Sequence, residues 1–498
     1  MNTPHITSDE RPRVGLNFVY VGLVIVLAGA AFLRFWQISD HFHFMGDEGT
    51  QTQVEWNLIH GTLPLLGPSL SIGSMHLGPA FYYLMAIPLW LANGSPVGPT
   101  VMVGLFGLGA VALLFFYLRQ PLGDWPALGG AAVMATSFLM VEYSRRPWNP
   151  TPTPFFTLLF LWSLVLWKRK SSSWLILVAG SLAVLLQLQP VNVFLAVLFV
   201  IFIAVARPPR PSWTVLGLAV LVVLVITSPL IIYDVTHHLS NTRAWLDALV
   251  GSKTHGARSD ASSPRLLFNL FNRAFEPRVV AVSIVIAITT SLSALYVAFA
   301  DHETEGAAWE IILPVILLAI AAVGFEVYRK LVFEQYMVCL FVIPFIFLAC
   351  LLRLLWKDDR IRVLAVLVVG ALVVVGVRDT WTYSFVNPQV TVADAAVTSH
   401  DLMPDDVYGH VLTVDHQIES WSAGRPFTIT MPPYINTTAG YQYVLARDGY
   451  VLKPGGLTYL LIEPADWPAT NWPAWAVKQA AKADKVTTIG IVKLYEIK

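Results

Sequence analysis

Cysteine is nearly absent: Cys339 and Cys350 are the only two in 498 residues. They lie eleven positions apart in one apolar run, roughly 16 Å along a helix, too far to bridge. They read as packing residues, and neither a disulfide framework nor a Cys/His metal framework is present. Charge is scarce as well. Charged residues make up 13% of the chain against 56% hydrophobic ones, and the formal net charge is zero. Both fractions lie outside the soluble range, and without a basic excess there is no reason to expect a nucleic-acid partner. No Lys or Arg occurs between Arg34 and Arg119. A P-loop, a Gly-rich dinucleotide signature and internal repeats are also missing.

Long apolar runs are what the chain has. After a polar start carrying Arg11 and Arg13, Gly15–Leu33 is long enough to cross a bilayer core. No small-residue cleavage site follows it, so a retained first helix is expected rather than a signal peptide. Further runs cover 97–118, 126–143, 152–167, 174–188, 191–206, 213–233, 279–299, 309–327, 336–356 and 361–378. The expected class is an α-helical polytopic membrane protein with about eleven transmembrane helices. The segment 76–92 is apolar but short and carries Pro79 and Pro88. Treating it as re-entrant or interfacial places Arg119, Lys168-Arg169-Lys170, Arg207/Arg210 and Lys357/Arg360/Arg362 inside, as the positive-inside bias requires. The N-terminus is then inside and the C-terminus outside. Residues 1–378 form the membrane domain, with 37–96 as one outer loop. Residues 379–498 are richer in Asp, Pro and Gly and hold strand-like runs at Val407–Val414, Phe427–Met431, Leu457–Ile462 and Val486–Tyr495, with a helix at 472–484. They predict a small α/β domain outside the membrane.

Three outer segments carry chemistry. In Gly46-Asp47-Glu48-Gly49 two carboxylates adjoin the end of the first span, a costly placement without solvent, a partner or a task. Asp47 is placed to N-cap, and Gly61 to stop, a short amphipathic helix, so the plainer reading is a capping acid. His76-Leu77-Gly78-Pro79-Ala80-Phe81-Tyr82-Tyr83 offers a His and two Tyr able to orient a phosphate or sugar hydroxyl, or simply to anchor at the interface. Tyr143-Ser144-Arg145-Arg146-Pro147-Trp148-Asn149-Pro150 puts paired arginines on the outer side. A phosphate would match them bidentately; pairing with Glu142 or snorkelling is the alternative. Arg34, Arg243, Lys253, Arg258, Arg265 and Arg273 add cations to that face.

The order Leu33-Arg34-Phe35, Gly46-Asp47-Glu48-Gly49, His76 to Tyr83, and Ser144-Arg145 with Trp148-Asn149-Pro150 resembles the GT-C glycosyltransferases that use polyprenyl-phosphate sugars, in particular the dolichyl-phosphate-mannose–protein mannosyltransferase-like and aminoarabinose-transferase-like families. The similarity runs over about 15–200. Two positions depart from the usual pattern: Leu77-Gly78-Pro79 replaces a Pro-Pro, and Asn149 stands near where an Asp is common. The resemblance implies a GT-C fold and inverting transfer of a sugar from a polyprenyl-phosphate donor to an acceptor glycan, lipid or protein hydroxyl on the extracytoplasmic side, in a prokaryotic plasma membrane. It implies Asp47 as base with Glu48 second; Arg145, Arg146 and Arg34 as donor-phosphate ligands; and His76, Tyr82, Tyr83 and Asn149 as substrate contacts. A divalent cation, with Asp47 as its ligand, is a further expectation. Besides the substrates, membrane lipids are expected partners. A transporter or flippase of lipid-linked sugars is the competing expectation, and would call for polar or broken helices at mid-membrane depth.

Overall fold

In the computed structural model, which describes residues 14–70, 75–250, 262–276, 279–301, 309–328, 332–387, 389–391, 402–404, 407–432, 438–450, 452–453, 456–463 and 468–497, the apolar runs are helices. The first, Val14–Phe35, is 22 residues long. Among the described residues, six helices are long and apolar enough to cross a membrane: Phe18–Phe35, Val97–Leu122, Trp213–Thr236, Val280–Phe299, Trp309–Tyr328 and Arg362–Val386. A seventh arises if Glu334–Leu340 and Ile343–Lys357, bent by 44°, count as one span. The expectation of about eleven is therefore not confirmed.

The shortfall has local causes. The 126–143 run breaks at Ser137, whose extended ψ separates Asp124–Thr136 from Phe138–Tyr143 and whose hydroxyl donates to Ala274 O at 2.9 Å. Leu175–Leu188 and Val193–Ala206 have 14 residues each, about 21 Å of helix against a core of about 30 Å. Ala80–Leu91 is shorter still, 12 residues with Pro88 inside, in keeping with a segment that does not cross.

The early outer segment folds as the helix Gly46–Ile59. Asp47 lies in its first turn and is not the cap; Met45 holds that position with no side-chain bond. Two acids at the positive end of the helix dipole favour this start. Gly61, at φ +96°, ends the helix as its sequence position predicts.

Beyond the last span, Val407–Val414 is not a strand. It opens the helix Tyr408–Ser422, whose buried residues Tyr408, Val411, Val414, Asp415, Ile418 and Ser422 recur every three or four positions. That helical period overrides the β-branched composition. Val486–Tyr495 divides at Gly490 (φ +55°) into the hairpin Ala483–Ile489 and Val492–Ile497. Phe427–Thr430 and Leu457–Ile462 are strands as expected, and a short helix, Ala474–Ala480, occupies the 472–484 stretch. The sheet runs in the order Phe427–Thr430, Leu457–Ile462, Val492–Ile497, Ala483–Ile489, with the first pair parallel and the others antiparallel.

This C-terminal part shares its core with the outer loop. Phe42, Phe44 and Met45 pack among Tyr408, Val411, Tyr441 and Tyr443, and the Tyr443 hydroxyl donates to Gly94 O at 2.6 Å. The two parts also touch at Gly49, where a Cβ would stand 2.4 Å from the backbone N of Gly440. Both partners there are backbone, so neither can give way. Gly49→Ala is therefore expected to destabilise by about 1–3 kcal/mol and to speed proteolytic release of the C-terminal part. Limited proteolysis beside a thermal melt checks this, and an unchanged cleavage rate refutes it.

Candidate active site

Helix Gly46–Ile59 meets the 144–152 turn along one face, through three side-chain pairs. Trp148 Nε1 donates to Asp47 Oδ2 at 3.1 Å. Arg146 Nε donates to Glu48 Oε1. Gln51 Nε2 donates to Asn149 Oδ1 at 2.9 Å, while Asn149 N donates to Gln51 Oε1 at 3.1 Å. The acidic doublet and the Ser-Arg turn, about a hundred residues apart in sequence, thus converge.

The two acids differ in setting. Glu48 is fully buried, with Oε2 3.5 Å from His43 Nε2. Burial acts to raise its pKa, but the Arg146 guanidinium and then His43 outweigh that and hold it below the ordinary Glu value. It is a fixed anion. Asp47 keeps exposed surface while protein surrounds it on most sides. Burial and then the neighbouring Glu48 charge raise its pKa, against the smaller opposing effects of Arg146, Trp148 and His43. The accessible acid of the pair is therefore the more basic one.

The paired arginines separate in role. Arg146 stacks over the Trp148 ring, 4.1 Å from its centroid, while bonding Glu48. Its ionic partner is Glu48, and Glu142 pairs with Arg273 at 3.2 Å. Arg145 does not face the site. It is 3% exposed and gives its N–H groups to the carbonyls of Leu33, Arg34, Trp36 and His41. Leu33 and Arg34 lie in the last turn of the first helix and Trp36 just beyond it, so Arg145 caps that helix and ties it to the following loop at His41. Arg34 is fully buried and donates to Ala30 O at 3.2 Å and Ala135 O at 2.9 Å. Both guanidinium groups are buried and give these N–H groups to backbone carbonyls, while Arg34 Nε and Nη2 make no hydrogen bond. Asn149 is likewise occupied, since its Nδ2 donates to Leu188 O at 2.6 Å.

The aromatic segment lies against the same helix. Tyr82 is buried, and its hydroxyl is held above its ordinary pKa by burial and then by the Glu55 and Asp47 carboxylates. Tyr83 turns away, donating to Pro64 O at 3.1 Å. His76 is tied through its backbone: its N–H donates to Asn241 Oδ1 at 2.9 Å, and its carbonyl accepts from Asn241 Nδ2 and Trp245 Nε1. Gly78 lies tight against Gln187: a Cβ there would stand 2.1 Å from its Oε1. Of the remaining outer cations, Arg243 and Arg265 are exposed, and Lys253 and Arg258 fall outside the described residues. Arg273 is buried among Glu142, Glu276 and Glu334, at 2.6 Å from the last. Burial, and the other carboxylates against the pull of Arg273, push Glu276 up to about 8.

Three contributors escaped the sequence reading. Glu55 is 1% exposed, with Oε2 making no hydrogen bond, and burial pushes it well above the ordinary Glu value. Glu48, Gln51, Thr52 and Glu55 form a buried polar stripe at i, i+3, i+4 and i+7; that spacing was the available signal. The indole N–H of Trp148 and the amide of Gln51 are the others. For a divalent cation the fit is poor. Among the described residues no grouping of three His, Cys, Asp or Glu is placed to hold a metal ion. Glu48 is committed to Arg146 and His43, and the Trp148 N–H already addresses Asp47.

The backbone closely follows that of ArnT from Cupriavidus metallidurans in the apo state, with a TM-score of 0.61, 12% identity, and coverage of 97% of this chain and 98% of that one. The fold is of the GT-C type. The same ArnT bound to undecaprenyl phosphate aligns at a TM-score of 0.60 and 11% identity, again over 97% and 98% of the two chains. A looser likeness to the oligosaccharyltransferase of Archaeoglobus fulgidus has a TM-score of 0.48 and 11% identity, covering 89% of this chain and 68% of that one. No protein-family profile and no curated sequence matches the chain.

The buried ion pair generates a test. Arg146→Ala strands Glu48 without its cation and is expected to destabilise by about 3–5 kcal/mol. The double change Glu48→Leu with Arg146→Met removes both charges and is expected to recover most of that loss. Equal melting temperatures for the single and double variants would contradict the assignment.

Proposed function

We propose that the chain is an inverting glycosyltransferase, moving a sugar from a polyprenyl-phosphate-linked donor to an acceptor hydroxyl at the extracytoplasmic membrane face. The observation that carries this reading is Asp47: an accessible carboxylate with a raised pKa, oriented by Trp148 and backed by the buried Glu48–Arg146 pair. The GT-C fold supports it, as does the undecaprenyl phosphate bound by the ArnT neighbour. The positive-inside bias, which sets 37–96 outside, and the docking of the C-terminal part on residues 42–49 support the choice of face.

In the proposed step the acceptor oxygen attacks the anomeric carbon from the side opposite the phosphate. The new C–O bond forms as the bond to the phosphate oxygen breaks, and its electron pair leaves with the polyprenyl phosphate. The acceptor proton passes to Asp47, the part that the base carboxylate takes in inverting glycosidases. A phosphate leaving group is a stable anion and needs no separate acid. Glu48 holds Arg146 and keeps negative charge beside Asp47, which sustains its basicity. With Arg34 and Arg145 turned inward, the exposed Arg243 or Arg265 is left to meet the leaving phosphate. Tyr82, whose hydroxyl feels the Glu55 and Asp47 carboxylates, and His76 are assigned to the acceptor side in this reading. A transporter of lipid-linked sugars would need no such base, and would leave the sugar–phosphate bond intact.

Purified protein is expected to release polyprenyl phosphate from a sugar-linked donor, and Asp47→Asn to lower the rate by about 10²–10⁴-fold without loss of fold. A full rate in that variant would remove Asp47 as base. Because Asp47 must be ionised to accept a proton, activity should fall as pH drops through its pKa. The acid limb of kcat/KM is expected above the ordinary Asp value of 3.8. Glu48→Gln removes the neighbouring charge and should move that limb downward; an upward or absent shift counts against the assignment.

A further inference from the structure

We propose that the cavity between the far ends of helices Val97–Leu122 and Thr153–Arg169 binds the phosphate headgroup of an anionic phospholipid. The cavity has a volume of about 380 Å³ and is lined by Phe116, Arg119, Gln120, Asp124, Trp162, Leu166 and Lys170, within the ~300–1,000 Å³ of small-ligand clefts. It lies at the membrane face opposite Asp47. Both helices begin near the candidate site, at Pro96 and Pro152, and both reach the cavity with their last turns.

The charge inventory of this face leaves cations in surplus. Arg119 is held by Asp124 at 3.1 Å and donates to the Tyr20 hydroxyl at 2.7 Å. Arg169 pairs with Glu310 at 2.5 Å, and Lys168 Nζ donates to Ala206 O at 2.5 Å. Lys170 is exposed and, among the described residues, meets no carboxylate. Arg207 and Arg210 are exposed and equally uncompensated, on a turn that reaches Trp167, whose Nε1 donates to Pro209 O at 2.9 Å. Lys170 thus stands uncompensated at a cavity whose lining acid, Asp124, is already paired with Arg119, and Arg207 and Arg210 add positive charge to the same membrane face.

The surroundings select a lipid over a free anion. Phe116 of the cavity wall, Tyr20 bonded to Arg119, and Trp125 next to Asp124 expose their rings, as side chains at the boundary of hydrocarbon and headgroups do. The cavity wall of Phe116, Trp162 and Leu166 leads from the cations towards the acyl region. Lys170 and the Gln120 amide would meet the phosphodiester, and the apolar wall would take the first part of the chains. Basic pockets between helices at a membrane surface suit headgroups of this class.

The experiment is native mass spectrometry of the full-length protein released from detergent, titrated with phosphatidylglycerol or phosphatidylcholine. Preferential retention of phosphatidylglycerol is expected, reduced about fivefold by Lys170→Ala and unchanged by Lys478→Ala, an exposed lysine of the C-terminal part. Equal retention of the two lipids, or equal effects of the two substitutions, would overturn the proposal. Displacement of bound phosphatidylglycerol by millimolar glycerol phosphate would also overturn it, since the cavity would then read a soluble phosphate and not a lipid.

Discussion

The buried contact between Glu48 and Arg146 is the constraint on which the site depends. It joins a short amphipathic helix to a turn between two other helices, and each ion is a strong liability without the other. The remaining contacts along that seam follow from it. Once Arg146 is held over Trp148, the indole N–H points at Asp47, and Gln51 falls opposite Asn149. An acid doublet that looks redundant in sequence is thereby divided, one member serving structure and the other facing solvent.

Much of this was legible before any coordinates. Apolar run length announced a membrane bundle, and the doublet and the Ser-Arg turn were both marked as candidates. Gly61 was placed correctly as a helix stop. What the sequence hid follows from physics that pattern cannot carry. Arginine beside a membrane span reads the same whether it awaits a phosphate or satisfies helix carbonyls, and Arg145 does the second. Asn149 looked available because amides usually are, yet both ends of its side chain are occupied. The count of about eleven spans is not confirmed, because hydropathy does not register the interruption at Ser137 or the shortness of Val193–Ala206.

The C-terminal part, expected as a small α/β domain, shares a core with the outer loop. Its core includes Phe42, Phe44 and Met45 from the outer loop, and its helix Ala439–Arg447 touches the acidic helix backbone to backbone at Gly49. The polar stripe from Glu48 to Glu55 is consequently enclosed from two sides. This is how a helix of such low hydrophobicity becomes a rigid support, since its stability comes from packing and not from its own propensity.

The clamp made by Arg145 has a mechanical consequence. By collecting the carbonyls that end the first span, it makes that span and the Trp148 turn a single body. Hydrophobic mismatch with a thinner or thicker bilayer must then be met by tilting the bundle, because the first helix cannot slide alone. The depth of the Asp47 carboxylate is set by the protein, whatever the lipid around it.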